Sequence, residues 1–148
     1  MKLDKEAMTR RRFLKTSTQV TALAGLSVAT QAYGAGNDRI RIGLVGCGGR
    51  GTGAAAQALS TGEDVILTAM GDAFDNRLQN SRKNLQANED FGPRVKVSKD
   101  KCFVGLDAYR KVIDSGVDVV LLATPPGFRP QHLKAAVEAN KHVFCEKP

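Results

Sequence analysis

The chain has 148 residues, which is enough for one domain with its own hydrophobic core and too few for two large ones. Its composition, 42% hydrophobic and 25% charged, is typical of a globular protein. The net charge of +7 is uneven, because residues 1–36 carry six Lys/Arg against two Asp/Glu and the rest carries 16 against 13. Since no basic run with interleaved aromatics follows residue 36, we expect no nucleic-acid partner.

The first 36 residues have the pattern of an export signal. The stretch Thr9–Lys15 contains adjacent arginines, Arg10-Arg11-Arg12, before Phe-Leu-Lys, as in twin-arginine signals, and a weakly apolar run from Val20 to about Ala32 follows. That run is too short and too polar to span a bilayer, so we expect no stable membrane anchor. The sequence thus predicts a signal peptide and linker over 1–36, recognition by the twin-arginine export machinery and a location in the periplasm or elsewhere outside the cytoplasm. A basic arm on a cytoplasmic protein is the alternative.

From residue 39 onward, short apolar runs alternate with helical patterns. The runs predict strands at Ile40–Val45, Val65–Met70, Val95–Val97, Val117–Ala123 and His142–Cys145. The intervening patterns predict helices at Thr52–Leu59, Asp75–Ala87, Ala108–Ser115 (capped by Asp107) and from Pro130 to Asn140. Such alternation predicts one α/β domain over residues 37–148, a Rossmann-type doubly wound parallel sheet.

A glycine-rich turn follows the first predicted strand. Its six residues are Gly46, Cys47, Gly48, Gly49, Arg50 and Gly51, a G-x-G-x-x-G pattern between a strand and a helix. The first glycine permits a sharp turn, the second leaves room for a pyrophosphate, and the third allows the helix to pack closely on the sheet. The six residues are therefore candidate dinucleotide ligands through their backbone, with a merely flexible glycine turn as the alternative.

Asp72 ends the second predicted strand, 21 residues after Gly51. An acidic residue there can accept hydrogen bonds from the adenosine ribose and repels a 2′-phosphate, so NAD is favoured as the cofactor. NADP stays open because Arg77 could reach such a phosphate. A solvated loop aspartate is the alternative.

The three cysteines Cys47, Cys102 and Cys145 form neither a C-x-x-C motif nor a cluster with His at metal-ligand spacing. We therefore expect no metal and interpret the cysteines as small buried hydrophobes. One disulfide plus a free thiol is the alternative, since export would permit it.

Two further segments follow later strands. They are Thr124-Pro125-Pro126 and Glu146-Lys147-Pro148, the second preceded by Lys141-His142-Val143-Phe144-Cys145. Together with the opening Arg41–Gly48, they resemble the glucose–fructose oxidoreductase/inositol dehydrogenase/MocA (Gfo/Idh/MocA) family over residues 39–148.

The resemblance implies an oxidoreductase that moves a hydride between a sugar, polyol or cyclitol CH–OH group and a nicotinamide. It implies Lys147 as the catalytic lysine beside the nicotinamide ribose and the substrate, with Glu146 near the cofactor and Thr124 and Pro125 lining its groove. It also implies a second α/β domain that binds the substrate and supplies a catalytic Asp and His. That domain is absent from this sequence, so we expect the chain to be an inactive fragment of a protein that forms homo-oligomers.

The segment after the two prolines departs from the family pattern. Many members carry a histidine pair there, where this chain has Gly127-Phe128-Arg129-Pro130-Gln131-His132. Arg129 stands where a family histidine often lies, and His132 is expected to be an ordinary helix residue. Two other functions stay open: an NAD-dependent glycosidase of the same family, which oxidises the sugar transiently without net redox change, and a non-catalytic nucleotide-binding fragment.

Overall fold

The structure, a computed structural model, describes residues 39–147. The predicted signal peptide and Pro148 lie outside these residues.

A parallel sheet of five strands forms the centre of the domain, in the order β3-β2-β1-β4-β5. From β1 the chain winds outward in one direction through β2 and β3, and β4 then pairs with the other side of β1. The direction of winding therefore reverses beside β1, which confirms the doubly wound Rossmann-type prediction. The strands are β1 (Ile40–Val45), β2 (Val65–Asp72), β3 (Cys102–Val104), β4 (Val119–Leu122) and β5 (His142–Cys145).

Four α-helices cover the two faces of the sheet: α1 (Gly49–Leu59), α2 (Asp75–Gln86), α3 (Ala108–Asp114) and α4 (Arg129–Glu138). Leu44 and Val45 are adjacent in β1 but belong to different core clusters, one packed against α1 and α2 and the other against α3 and α4. Because both faces are buried, the central strands read as continuous apolar runs rather than alternating ones.

The prediction of a third strand at Val95–Val97 was wrong. Val95 makes only an isolated bridge with Leu67, and the strand beside β2 is Cys102–Val104. Val95 and Val97 are buried, so their apolar character comes from packing as loop residues against the core. A 3-10 turn at Gly92–Arg94, which contains Pro93, immediately precedes Val95.

Several boundaries differ by a few residues from the prediction. Helix α1 begins at Gly49 rather than Thr52, β2 continues to Asp72, and β4 is limited to Val119–Leu122. Asp107 does precede α3 but makes no side-chain capping bond, and it forms an ion pair with Lys111 at 3.1 Å instead. A periodic sequence pattern predicts the ends of a helix or strand less well than its middle, because the terminal turns are held by few hydrogen bonds.

Candidate functional site

A cleft of about 570 Å³ runs along the carboxyl edge of the sheet. Since the strands are parallel, the segments that follow them meet at this edge, where ligands bind in open α/β sheets. Nine of the predicted site residues line the cleft: Gly46, Gly48, Gly49, Arg50, Asp72, Arg77, Thr124, Pro125 and Glu146. The other predicted site residues, Cys47, Gly51 and Lys147, are not part of its lining.

The glycine turn is built to let a ligand approach the backbone. Gly46 has φ +94°, the left-handed region, and a Cβ there would lie 2.9 Å from the carbonyl carbon of Ala123. At Gly48, by contrast, an added Cβ would meet no atom within 4 Å. The open space beside Gly48 fits a group that fills it from the cleft, as a pyrophosphate would.

The start of helix α1 presents hydrogen-bond donors to the same space. The first intrahelical bond runs from the Thr52 N–H to the Gly48 carbonyl at 2.9 Å. The N–H groups of Gly49, Arg50 and Gly51 precede it and have no partner within the helix. These donors and the positive end of the helix dipole favour an anion beside Gly48.

Asp72 is a fixed anion in the wall of the cleft. Its carboxylate accepts the Cys47 N–H at 2.6 Å and the Phe74 N–H at 2.9 Å, and only 9% of the residue is exposed. A carboxylate has about four acceptor positions, so two backbone bonds leave capacity for ligand hydroxyls. The aspartate is thus held in place by the glycine turn itself, and it is not a solvated loop residue.

Cys47 lies behind the turn, with 3% of its surface exposed and its Sγ 3.5 Å from the Gly71 carbonyl oxygen. Burial raises the pKa of the Cys47 thiol, which therefore stays protonated and packs as a small hydrophobe, as expected. The other two cysteines differ from that expectation, because Cys102 is half-buried and Cys145 is exposed. All three are free thiols.

Two hydrophobic side chains stand at the mouth of the cleft near Asp72. Phe74 is 58% exposed and Leu106 is 73% exposed, and both line the cleft. The guanidinium carbon of Arg77 lies 5.2 Å from the Phe74 ring centroid. Phe74 immediately precedes α2 and forms part of the mouth.

Glu146 connects the end of β5 to the glycine turn. Its Oε2 forms an ion pair with Arg50 Nε, and its Oε1 accepts the Lys147 N–H at 3.1 Å. The hydrogen bond from the Lys147 N–H and the neighbouring Arg50 lower the pKa of Glu146, which is therefore ionised. The Glu146 N–H donates to the Leu122 carbonyl at 3.1 Å and extends the pairing of β5 with β4.

His132 lies in helix α4, as expected, and it also lines the cleft. The residue is 5% exposed, and its ring stacks on Tyr109 with centroids 4.1 Å apart and has Nδ1 3.1 Å from Thr124 Oγ1. Burial lowers the pKa of His132, so the ring is neutral at pH 7. A neutral imidazole can fix the orientation of the Thr124 hydroxyl.

Lys147 is exposed beside the cleft, and its backbone is held by Arg129. Arg129 donates from Nε to the Thr124 carbonyl at 2.7 Å, from Nη1 to the Glu146 carbonyl at 2.6 Å, and from Nη1 to the Lys147 carbonyl. The structure therefore places Glu146 in the wall of the cleft, whereas the exposed Lys147 follows it along the chain and does not line the cleft.

Tyr109, Arg129 and His132 line the cleft but were not predicted as site residues. All three lie in the first turn of α3 or α4. The predicted helix starts could have indicated these residues, because in a doubly wound sheet each helix that follows a strand starts near the carboxyl edge. Residue type gave no such signal, since Tyr and His are common in cores.

No group of three or more potential metal ligands occurs among residues 39–147. Within the same residues, no helix is both long and apolar enough to cross a bilayer.

Comparison with known proteins identifies the family to which the chain is similar. A profile described as an oxidoreductase family with an NAD-binding Rossmann fold, Gfo/Idh/MocA, matches residues 40–148. The myo-inositol 2-dehydrogenase of Thermotoga maritima is 30% identical over 109 residues, which are 74% of this chain and 28% of that protein. A protein named glycosyl hydrolase family 109 protein 2, from Shewanella sp. strain ANA-3, is 32% identical over 158 aligned positions, 94% of this chain and 33% of that protein.

Among solved structures, the scyllo-inositol dehydrogenase of Lactobacillus casei with bound NAD(H) and scyllo-inositol superposes with a TM-score of 0.57. The two are 27% identical, and the match covers 74% of this chain and 28% of that one. This chain thus spans a third or less of the length of these relatives. Over residues 40–148 the protein belongs to the Gfo/Idh/MocA oxidoreductase family and forms that family's NAD-binding Rossmann domain.

Proposed function

We propose that the chain is the NAD-binding part of an exported oxidoreductase that acts on a CH–OH group of a sugar, polyol or cyclitol. The observation that carries the proposal is the composition of one cleft. The open backbone at Gly48, the fixed anion Asp72 and the ionised Glu146 all lie along it. This combination supplies a place for a pyrophosphate and separate acceptors for hydroxyl groups.

The residues of the cleft divide the recognition of NAD among them. The donors at the start of α1 would hold the pyrophosphate beside Gly48, and Asp72 would accept hydrogen bonds from the adenosine ribose. Phe74 and Leu106 offer apolar surface next to Asp72, where the adenine would lie. Thr124, Pro125 and Glu146 form the other end of the cleft, toward the nicotinamide.

Bound NAD would supply a hydride acceptor at the nicotinamide ring. The chain's own contribution is electrostatic: the ammonium of Lys147, the exposed residue that follows Glu146, would stabilise negative charge on the substrate oxygen. The neutral His132 is buried and hydrogen-bonded to Thr124, so we assign it to orienting that hydroxyl rather than to removing the substrate proton. The base and most of the substrate contacts would come from a second domain of the whole protein.

The names of the relatives support a polyhydroxylated substrate. Both the Thermotoga maritima protein and the Lactobacillus casei structure are named as dehydrogenases of an inositol, a cyclic polyol. A substrate of that class offers a secondary alcohol to oxidise and several hydroxyls to recognise.

Export is part of the proposal. The run Arg10-Arg11-Arg12, followed by Phe-Leu-Lys, supports recognition by the twin-arginine machinery, which carries folded proteins. Because free nicotinamide nucleotides are scarce outside the cytoplasm, an exported enzyme would have to leave with NAD already bound. In that case the cofactor is recycled in place by a second substrate.

A glycosidase of the same family is the second candidate. The Shewanella protein, named a glycosyl hydrolase, aligns with 94% of this chain, so the similarity extends into residues before the Rossmann domain. One assay on the whole protein distinguishes the two activities. Release of nitrophenol from an aryl glycoside without net change in reduced-nucleotide absorbance identifies the glycosidase, and accumulation of reduced nucleotide with an inositol identifies the dehydrogenase.

The first test of the proposal is calorimetry of the 148-residue chain with NAD. We expect saturable one-to-one binding and no turnover of inositols or sugars by the chain alone. Absence of binding by a folded chain would refute the cofactor assignment, and measurable turnover would show that the catalytic groups are all within this chain.

A further inference from the structure

We infer that Arg129 is a positioning residue, which holds the end of β5 so that Glu146 stays in the wall of the cleft. The inference rests on the proposed function, because it links this arginine to NAD binding. Arg129 is the first residue of α4, half-buried, and it lines the cleft. Two nitrogens of its guanidinium donate to the carbonyls of Thr124, Glu146 and Lys147. One side chain therefore joins the segments that follow β4 and β5.

These bonds matter because the end of β5 has little else to hold it. In the described part of the chain, β5 is an edge strand of four residues that pairs with β4 alone. Beyond Cys145, backbone pairing consists of the Glu146 N–H to the Leu122 carbonyl at 3.1 Å. The Glu146 side chain is attached to Arg50. Without Arg129, the carbonyls of Glu146 and Lys147 would lose their donors and the backbone could leave the cleft wall.

Only arginine suits this arrangement. Its guanidinium is a planar fork with five N–H donors, so it can serve carbonyls on two segments at once without moving. A lysine would keep the charge but present a single ammonium, which can reach one segment well and the other poorly. Arg129→Lys therefore separates the geometry of the fork from the presence of a positive charge.

The chain contains a matched control. Arg94 also donates to three backbone carbonyls, those of Leu59, Gly62 and Val65, but it does not line the cleft. Arg94 makes its bonds from Nη1 alone, so Arg94→Lys changes a second arginine that holds backbone carbonyls, between the end of α1 and the start of β2 and away from the cleft. A general loss of stability should follow both substitutions, whereas an effect on the cleft should follow only Arg129→Lys.

The experiment compares the full chain with its Arg129→Lys and Arg94→Lys variants, at a temperature where all are folded by circular dichroism. We expect Arg129→Lys to weaken NAD binding at least about tenfold by calorimetry, as small misplacements of binding groups do. Without NAD, the Glu146 amide should exchange its hydrogen at least about tenfold faster, because its bond to Leu122 opens more often. Arg94→Lys should change both quantities less than about twofold.

The inference is overturned if Arg129→Lys matches Arg94→Lys in affinity and exchange. If Arg129→Lys does not fold, the test uses the wild-type chain instead. Its arginines are labelled with ¹⁵N, and their Nε–H signals are followed by nuclear magnetic resonance. The Arg129 Nε–H signal must be protected from exchange and must shift when NAD binds, while that of Arg94 must not shift, and an unshifted Arg129 signal overturns the inference. If the wild-type chain binds no NAD, the proposed function fails, and Glu146 exchange alone decides whether Arg129 holds the strand end.

Discussion

Gly51 lies so close to Gly46 that a Cβ atom on Gly51 would come within 1.8 Å of the Gly46 carbonyl oxygen. Helix α1 therefore packs against the end of β1 without any side chain between them, the close packing expected for the last glycine of the motif. The contact fixes where the helix begins, and with it the direction of the free N–H groups in the first turn.

We predict that Gly51→Ala destabilises the domain by at least about 2 kcal/mol, because backbone on both sides must shift to admit one methyl group. Gly53, two residues on in the same helix, is the matched control, since an added Cβ there meets nothing within 4 Å. Gly53→Ala should instead stabilise the domain by about 0.5–1 kcal/mol, the usual gain for glycine to alanine within a helix. Urea unfolding of both variants measures the difference, and equal effects would contradict the packing argument.

Gly48→Val should strongly weaken NAD binding while leaving the fold intact. The backbone at Gly48 has φ −70° and ψ −177°, an extended conformation open to any residue, and the space around its Cβ is empty. A valine would occupy the space assigned to the pyrophosphate, and we expect a loss in affinity of at least about a hundredfold, roughly 2.7 kcal/mol. Calorimetry with NAD measures it, and an unchanged melting temperature is the control for folding. Unchanged affinity would show that the glycine turn is not the phosphate site.

Asp72→Asn should weaken NAD binding and narrow the preference for NAD over NADP. The substitution removes the charge that repels a 2′-phosphate. It also leaves one oxygen where the Cys47 and Phe74 N–H groups need two, which should cost about 1–3 kcal/mol of stability. Calorimetry with both nucleotides gives the ratio of affinities.

Asp75→Asn is the control for that experiment, because Asp75 lies in the first turn of α2, is exposed and does not line the cleft. It should change neither affinity nor preference. An unchanged ratio in Asp72→Asn would argue that the aspartate does not face the adenosine ribose.

His132 should make the domain lose stability as the pH falls. Its pKa is lowered by burial, so below the ordinary value near 6.5 the unfolded chain binds a proton that the folded chain does not. Stability conferred by the neutral ring is complete above about pH 6.5 and declines as the pH falls from there toward the lowered pKa. Urea unfolding between pH 7.5 and pH 5 measures the slope.

His132→Gln should reduce that slope. The chain has two histidines, and the other, His142, is exposed, so His142→Gln should leave the slope as it is. Equal slopes in His132→Gln and the wild type would show that the buried ring is not the titrating group.

Replacing Arg11 and Arg12 by lysine should retain the protein in the cytoplasm. The substitution keeps the charge of the segment but removes the arginine pair on which the export prediction depends. Cell fractionation of the full chain measures the distribution. Unchanged export of the double-lysine variant would assign the segment to another route.

Much of the site could be read from the sequence because its elements are local. The G-x-G-x-x-G run and the acidic residue that ends β2 are short patterns whose physical roles depend on neighbours in the chain. The misplaced third strand shows the limit of that approach. Val95 and Val97 have strand-like residue types, but their burial results from packing against the core, and residue type alone cannot separate the two causes.

The order of strands and helices, the glycine turn and the family could all be predicted from the sequence, since they depend on residues near one another along the chain. Tertiary structure alone decided that Arg129 joins the ends of β4 and β5, that Arg50 pairs with Glu146 across 96 positions, and that His132 packs on Tyr109 in the cleft. These contacts exist because parallel strands bring distant segments to one edge of the sheet, and no local pattern of residues encodes which side chains meet there.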